Sequence, residues 1–240
     1  QKLCHDINIQ PQERPEVCAQ KLAQYIDQNN TVSLAHVFQH SIHHYCLREW
    51  LALANPALAQ SIQIKTLAPP YMVEALKNHL IDGFCVGEPW NTQAELQGFS
   101  HIVCASQDII PNVADKVLAV TEEWAQLHPH TLIALTHALL KAQQELRELE
   151  DFAPVWQLLS EFEIIQFDCS SEIHVEKYFN IQNIIRNFVK DNAEPKATDF
   201  EWLFQQMQKW NHAPTHLTKA HQPGLNCVLL GHYHSAYQAL

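Results

Sequence analysis

The stretch "DGFCVGEPWN", Asp82 to Asn91, carries the strongest structural signal in the chain. Its apolar part, "GFCV" (Gly83 to Val86), has the residue types of a short buried strand. Gly87 follows at once, and glycine lets a backbone approach a neighbour closely or adopt a positive φ. Pro89 suits the first position of a helix, where its missing N–H costs no hydrogen bond. The stretch therefore predicts a strand that turns directly into a helix over Pro89 to Leu96.

A second turn of the same kind lies upstream. "TVSLAHVF" (Thr31 to Phe38) alternates apolar and polar residues as a strand does, and Ser41 is a good N-cap for a helix over Ile42 to Ala54. His43 would then lie in the first turn of that helix. The unbonded N–H groups and the positive dipole end of such a turn suit a small anion. Both turns are therefore candidates for anion contacts.

The rest of the pattern extends this unit and adds a helical half. Further strands are predicted at Ser61–Thr66, His101–Ser106 and Lys116–Val120, and helices at Arg14–Asn29, Met72–Leu80, Pro129–Leu149, Ala153–Phe162, His174–Val189 and Asp199–Trp210, with a loop over His212–Gly224. The alternation predicts a small parallel α/β unit over Thr31 to Asn112, with ligands at the carboxyl edge of its sheet. A helix buries its apolar face against a sheet or against another helix. We therefore expect a companion sheet in a segment outside this chain.

Composition limits the classes of function. The 240 residues are 47% hydrophobic, enough for one large core or two modest lobes, and the formal charge is −11. That charge argues against nucleic acid or an anionic membrane as the main partner, and no apolar run reaches the roughly 20 residues of a membrane span. Seven cysteines without a C-x-x-C pair favour a reducing compartment.

A lysine completes the candidate anion site. Lys116 opens the "KVLAV" run and could supply a full positive charge. A planar anion such as nitrate could then take a hydrogen bond from the His43 imidazole, one from the Gly87 backbone N–H and one from the Lys116 ammonium. Such a site binds the anion without catalysing a reaction. The plainer interpretations are a surface histidine, a turn glycine and a solvated lysine.

Other chemistry is less well supported. His40, His43 and His44 stand at helical spacing, which allows a zinc-dependent enzyme as an alternative, but no acidic or cysteine ligand is fixed nearby. Cys85 as a nucleophile lacks a neighbouring base. The five glycines form neither a P-loop nor a G-x-G-x-x-G turn, so nucleotide binding through those motifs is excluded. We therefore expect no cofactor, no metal and no catalysis.

Three segments of the chain are S-x-H-x-Y-x-L-R-x-W (Ser41 to Trp50), "APPYMVEALKNHLIDGFCVGEPWN" (Ala68 to Asn91) and "SQDIIPNVADKVLAVTEEW" (Ser106 to Trp124). Together they resemble the nitrate-binding family of type II periplasmic-type solute-binding proteins. The resemblance implies a two-lobe, hinged α/β fold whose ligand histidine, glycine and lysine fall on His43, Gly87 and Lys116. It assigns residues 1–30 to the end of lobe I, 31–113 to lobe II and 114–240 to the continuation of lobe I, and the N-terminal part of lobe I is expected to be missing.

The resemblance also implies a function. Lys116 favours nitrate or nitrite over bicarbonate, because bicarbonate-binding relatives are not expected to be basic there. We expect a cytoplasmic, ligand-responsive sensor that holds an RNA-binding antitermination regulator and releases it when the lobes close on ligand. The alternative is the periplasmic substrate-binding component of a nitrate ABC transporter, which would dock on a permease. Neither role needs direct contact with nucleic acid.

Overall fold

The computed structural model describes residues 2–10, 13–188, 194–213 and 227–240. The chain divides into two compact units by its contacts. Unit 1 comprises Gln1–Asn112 and Phe162–His174, and unit 2 comprises Val113–Glu161 and Val175–Leu240. Residues 1–30 thus lie in unit 1, together with the segment expected to form lobe II. The assignment of 1–30, 31–113 and 114–240 to the two lobes stays a prediction.

Unit 1 contains a three-stranded parallel sheet. The strands β1 (Leu34–His36), β2 (Ile64–Thr66) and β3 (Gly83–Phe84) have the spatial order β2-β1-β3. His36 is the register partner of Thr66, and Ala35 that of Phe84. All three residues of the central strand are buried, as expected for a strand covered on both faces. The predicted parallel α/β unit is confirmed, with strands shorter than the apolar runs that predicted them.

Helices connect and cover these strands. They are α1 (Lys2–Asp6), α2 (Pro15–Asp27), α3 (Ile42–Ala52), α4 (Pro56–Ser61), α5 (Pro69–Lys77), α6 (Trp90–Leu96) and a 3₁₀ turn at Ser106–Asp108. One face of the sheet packs against α5 and α6 through a small-residue core that includes Ala35, Ala75 and Ala94. Small side chains let the two helices approach the strands closely. Proline opens α2, α4 and α5, where its missing N–H leaves no bond unmade.

Two predicted strands are wrong. His101–Ser106 is irregular up to the 3₁₀ turn at Ser106–Asp108, and Lys116–Val120 contains no regular element. In the first segment the Asp108 carboxylate accepts a hydrogen bond from the Ala105 N–H at 3.3 Å. Alternation of side chains only creates two faces, whereas a strand also needs a neighbour for its backbone groups. Within the described residues, no strand of the sheet pairs with either segment.

Unit 2 is helical where the structure describes it. Its helices are α7 (Glu122–Leu127), α8 (Pro129–Glu148), α9 (Ala153–Glu161), α10 (Glu172–Phe188, from Val175 onward), α11 (Ala197–Lys209) and α12 (Leu230–Tyr237). The rings of Phe152 and Trp156 pack edge-on against Tyr178 of α10. The mostly helical second half is confirmed, although the predicted loop His212–Gly224 and the end of the helix predicted to Val189 lie largely outside the described residues.

None of the described helices combines the length and the apolar character that crossing a bilayer requires.

Candidate anion site

The start of α3 is fixed by its N-cap. The Ser41 Oγ accepts a hydrogen bond from the His44 N–H at 3.2 Å and donates one to the Phe38 carbonyl at 2.7 Å. The second bond ties the cap to the loop that follows β1, so the helix begins close to the carboxyl end of the central strand. His43 therefore lies in the first turn of α3, as predicted, at the edge where parallel sheets bind ligands.

The structure brings His43 and Gly87 together. A Cβ placed on Gly87 would lie 3.6 Å from the His43 Nε2, an ordinary van der Waals distance. Gly87 does not have a positive φ, whereas Gly98 does, with φ of 76°. A methyl group would therefore fit beside the imidazole, and glycine leaves that space open. An anion beside this pair would meet an imidazole nitrogen and an uncovered stretch of backbone.

The second helix start differs from the expectation. Pro89 is the N-cap of α6 rather than its first residue, and the helix begins at Trp90. The Glu88 Oε2 accepts a hydrogen bond from the Thr92 N–H at 3.1 Å. A carboxylate of the protein thus occupies the positive end of α6, where the sequence pattern had suggested an anion contact. The candidate site rests on α3 and on the backbone at Gly87.

Lys116 belongs to unit 2. Its side chain is 80% exposed, and its ammonium lies 2.5 Å from the carboxylate of the neighbouring Asp115. An exposed ion pair of this kind contributes less than about 1 kcal/mol, so it does not commit the ammonium to its neighbour. The structure thus unites two of the three predicted residues in one unit, and the role of Lys116 stays a prediction from the resemblance.

A buried histidine pair lies directly behind the start of α3. The His44 Nδ1 and the His36 Nδ1 are 2.6 Å apart, and both side chains are buried. Arg48 donates from its Nε to the His44 Nε2 at 3.3 Å. Because a guanidinium only donates, the His44 Nε2 accepts, and the proton of a neutral His44 sits on Nδ1.

The pair continues to the neighbouring strand. The His36 Nδ1 accepts from His44, so a neutral His36 carries its proton on Nε2, which lies 3.0 Å from the Thr66 Oγ1. Arg48 is the cation at the other end of this row of hydrogen bonds, and burial lowers its pKa. The hydrogen bonds hold the β1 and β2 ends and the first turns of α3 in one arrangement. Sequence reasoning missed this pair, although a histidine at a strand end facing one in the next helix start was a usable signal.

The zinc alternative gains no support from the positions of its three histidines. His40 is exposed, His44 is buried, and His44 is engaged with His36. In the described parts of the chain, no group of three or more His, Cys, Asp or Glu side chains is arranged to hold a metal ion.

Residues 6–160 match the sequence profile of the NMT1-like family. The chain belongs to the NMT1-like family. It is 30% identical over 205 residues to the nitrate import ATP-binding protein NrtC of Synechocystis sp., and 32% identical over 192 residues to the bicarbonate transport ATP-binding protein CmpC of the same organism. These matches cover 80% and 76% of this chain, but only 30% and 28% of the relatives.

Binding proteins are also among the matches. The chain is 27% identical over 144 residues to the nitrate/nitrite binding protein NrtA of Nostoc sp., a match that covers 60% of this chain and 30% of that protein. The crystal structure of the periplasmic nitrate-binding protein NrtA from Synechocystis superposes with a TM-score of 0.79 at 20% identity, over 95% of this chain and 61% of NrtA. The fold is therefore that of type II periplasmic binding proteins, and the resemblance to the nitrate-binding solute-binding family is confirmed.

Proposed function

We propose that the chain binds nitrate or nitrite at the carboxyl edge of the unit 1 sheet, without catalysing a reaction. The observation that supports this most strongly is the approach of the Gly87 backbone to the His43 imidazole. The His43 Nε2 is 3.6 Å from the position that a Cβ added to residue 87 would take. The first turn of α3 adds the positive end of a helix dipole at the same place. The names of relatives that bind or import nitrate agree with this ligand class.

The chemistry fits a small planar oxyanion. The imidazole offers one N–H donor toward the ligand, and backbone near a glycine can donate without a side chain in the way. The net charge of −11 works against anion binding at long range, so the local donors have to supply the affinity. Nitrate needs only such donors, since its negative charge is already spread over three oxygens and no bond has to break.

Lys116 would add the full positive charge. Its ammonium is exposed and pairs with the carboxylate of the adjacent Asp115. We propose that it contacts the ligand. The family resemblance, in which bicarbonate-binding relatives are not expected to be basic at this position, favours nitrate or nitrite over bicarbonate. The likeness to CmpC makes bicarbonate the competitor to test.

For the biological role we favour a cytoplasmic sensor that controls an RNA-binding antitermination regulator. The structure describes the cysteines as thiols rather than as disulfides, which agrees with a reducing compartment. The second candidate is a component of a nitrate ABC transporter, and it is favoured by the names of the relatives, which include two transport ATP-binding proteins. Both roles use the same ligand and differ in the partner.

Calorimetric titration of the chain with nitrate, nitrite, bicarbonate and chloride tests the ligand. We expect saturable binding of nitrate or nitrite and at least tenfold weaker binding of bicarbonate, because bicarbonate brings its own hydrogen-bond donor to a site built from donors. Bicarbonate as the tightest ligand would overturn the ligand assignment.

The partner is tested by co-purification from an extract with and without nitrate. The sensor role predicts an RNA-binding protein that leaves the chain when nitrate is added. The transport role predicts retention on membranes that contain the permease. Retention on such membranes, with no nitrate-released RNA-binding protein, would replace the sensor by the transport role.

A further inference from the structure

A cavity of about 290 Å³ lies in unit 1, between α6 and the segment 166–174 that ends in the first turn of α10. To its lining α6 contributes Gln93 and Leu96, and the facing segment contributes Phe167 and His174. None of the residues that line it belongs to the candidate anion site. Its volume is close to the lower limit of about 300 Å³ that is typical of small-molecule sites. The cavity is therefore large enough for a small organic ligand.

The buried side chain of Gln93 fixes one wall of this cavity. Its amide donates to the Ile164 carbonyl at 2.9 Å and accepts from the Gln166 N–H at 3.0 Å, and the residue is 2% exposed. A primary amide carries two N–H hydrogens and an oxygen with two lone pairs. Each end of the Gln93 amide therefore keeps one hydrogen-bonding position beyond these two bonds, and its Oε1 can accept from a ligand.

The imidazole of His174 is held in one orientation on the facing wall. Its Nδ1 donates to the Asp168 Oδ1 at 3.2 Å, and the same oxygen accepts from the Ser170 N–H at 3.2 Å. The His174 ring also packs edge-on against Phe167, with 5.7 Å between the ring centroids. Because a carboxylate accepts and the Nδ1 carries the proton, the Nε2 of a neutral His174 is an acceptor. The cavity therefore holds a positioned imidazole acceptor.

The charge at the cavity favours a cation over an anion. Hydrogen bonds from Ser170, and a smaller contribution from His174, lower the pKa of Asp168, so its carboxylate is ionised at neutral pH. Among the described residues that line the cavity, none is a lysine or an arginine. The net charge of the chain, −11, attracts cations at longer range as well. Nitrate would meet a carboxylate here, which separates this cavity from the candidate anion site.

We propose that this cavity is a second ligand site, which binds a small organic ammonium ion with a short hydrocarbon tail. The ammonium donates hydrogen bonds to the His174 Nε2 and the Gln93 Oε1, and the Asp168 carboxylate balances its charge. The tail packs against Leu96 and Phe167, which supply the apolar lining. An ammonium has three donors and no acceptor, so it matches a site whose positioned groups accept.

The test is a calorimetric titration of the full chain with n-butylammonium chloride. Two matched probes, 1-butanol and sodium butyrate, carry the same tail with a neutral or a negative head. We expect saturable binding of butylammonium and at least tenfold weaker binding of both other probes. The alcohol lacks the charge and two of the donors, and butyrate is repelled by the Asp168 carboxylate.

Three variants separate the contributions to that binding. His174→Phe keeps a ring beside Phe167 but removes the acceptor, so it should weaken butylammonium binding at least tenfold. Asp168→Asn should weaken it about threefold, because the Asp168 side chain is 77% exposed and solvent screens its charge. The control Asp27→Asn makes the same change in net charge at an exposed position of the same unit and should bind as the wild type does.

A wild type that does not bind butylammonium would overturn the proposal, and so would equal affinity for butylammonium and either matched probe. Unchanged affinity in a folded His174→Phe would overturn it as well. If that variant does not fold, nitrogen NMR of the wild type decides, since butylammonium should shift the Gln93 side-chain amide, and an unshifted amide contradicts the site. No nitrate is present in these experiments, so a failure of the proposed function leaves their outcome unaffected.

Discussion

At the scale of single residues, substituting alanine at three different glycines is expected to have three different effects on stability and binding. A Cβ at Gly87 would lie 3.6 Å from the His43 Nε2, one at Gly83 would lie 3.2 Å from the Leu34 Cδ2, and one at Gly231 would meet nothing within 4 Å. We expect Gly87→Ala to change the free energy of unfolding by less than about 1 kcal/mol but to weaken nitrate binding at least tenfold, because the methyl group covers the backbone beside the imidazole.

The other two glycines supply the controls for that experiment. Gly83→Ala should destabilise the fold by about 1–3 kcal/mol, since a tight contact with Leu34 forms in the half-buried strand β3. Gly231→Ala should stabilise α12 slightly. Chemical unfolding and nitrate calorimetry of the three variants separate stability from binding. Unchanged nitrate affinity in Gly87→Ala would contradict the placement of the anion beside His43.

Tyr45 gives a pH-dependent prediction. Its side chain is fully buried, and burial raises the pKa of its phenol to about 12 from the ordinary 10. The unfolded chain therefore releases this proton first, and the stability linked to Tyr45 is complete below pH 10 and decreases as the pH rises toward 12. At pH 11 the loss is about 1.4 kcal/mol.

Urea unfolding at pH 9 and pH 11 measures this loss in the wild type and in Tyr45→Phe. The variant has no phenol to ionise, so its free energy of unfolding should fall less between the two pH values. Equal falls in both proteins would show that the Tyr45 phenol titrates alike in the folded and unfolded states.

The buried pair of His36 and His44 predicts non-additive substitutions. Replacing either residue by leucine leaves the other imidazole buried with one partner fewer, which should cost about 2 kcal/mol. Replacing both removes the two polar groups together, so the double variant should lose less than the sum of the single losses. A double-mutant cycle by chemical unfolding gives the coupling energy. A value near zero would show that the hydrogen bond between His36 and His44 does not contribute to stability.

At the scale of elements, one glutamine holds a distant segment on α6. The buried Gln93 donates from its Nε2 to the Ile164 carbonyl at 2.9 Å and accepts from the Gln166 N–H at 3.0 Å on its Oε1. Gln93→Ala leaves both backbone groups without these bonds, at a cost of about 2 kcal/mol. Hydrogen exchange should become at least tenfold faster at the Gln166 amide.

The control for this substitution lies at the end of the same helix. Gln97 is exposed at the C-cap of α6, so Gln97→Ala should leave exchange at Gln166 unchanged. Equal acceleration in both variants would mean that loss of helix stability, rather than loss of the Gln93 bonds, opens the segment.

Prediction from the sequence worked for elements that carry their own stop and start signals. The strand before Gly87 and the helix after Ser41 lie where the pattern put them, because local residues decide both. The segments at 101–106 and 116–120 alternate in the same way but are not strands, since pairing depends on a neighbour far along the chain. The helix α6 begins one residue later than predicted, with Pro89 as its N-cap and with the Glu88 carboxylate accepting from the Thr92 N–H.

At the scale of the whole molecule, the family and the fold class were predictable, but the partners of side chains were not. The pairing of His43 with Gly87 followed from two strand-to-helix turns at one sheet edge. The bond of His36 with His44 depends on the packing distance of α3 from the sheet, which no spacing in the sequence records. Lys116 lies in the second unit, so its role is a matter for experiment.

The most direct test is a calorimetric titration with nitrate of the wild type, His43→Leu, Lys116→Gln and the control Lys141→Gln, an exposed lysine of the same unit as Lys116. The account predicts that the wild type and Lys141→Gln bind nitrate equally, and that His43→Leu and Lys116→Gln each raise the Kd at least tenfold, about 1.4 kcal/mol. A wild type that does not bind nitrate, or a His43→Leu variant that binds it as tightly as the wild type, would contradict it.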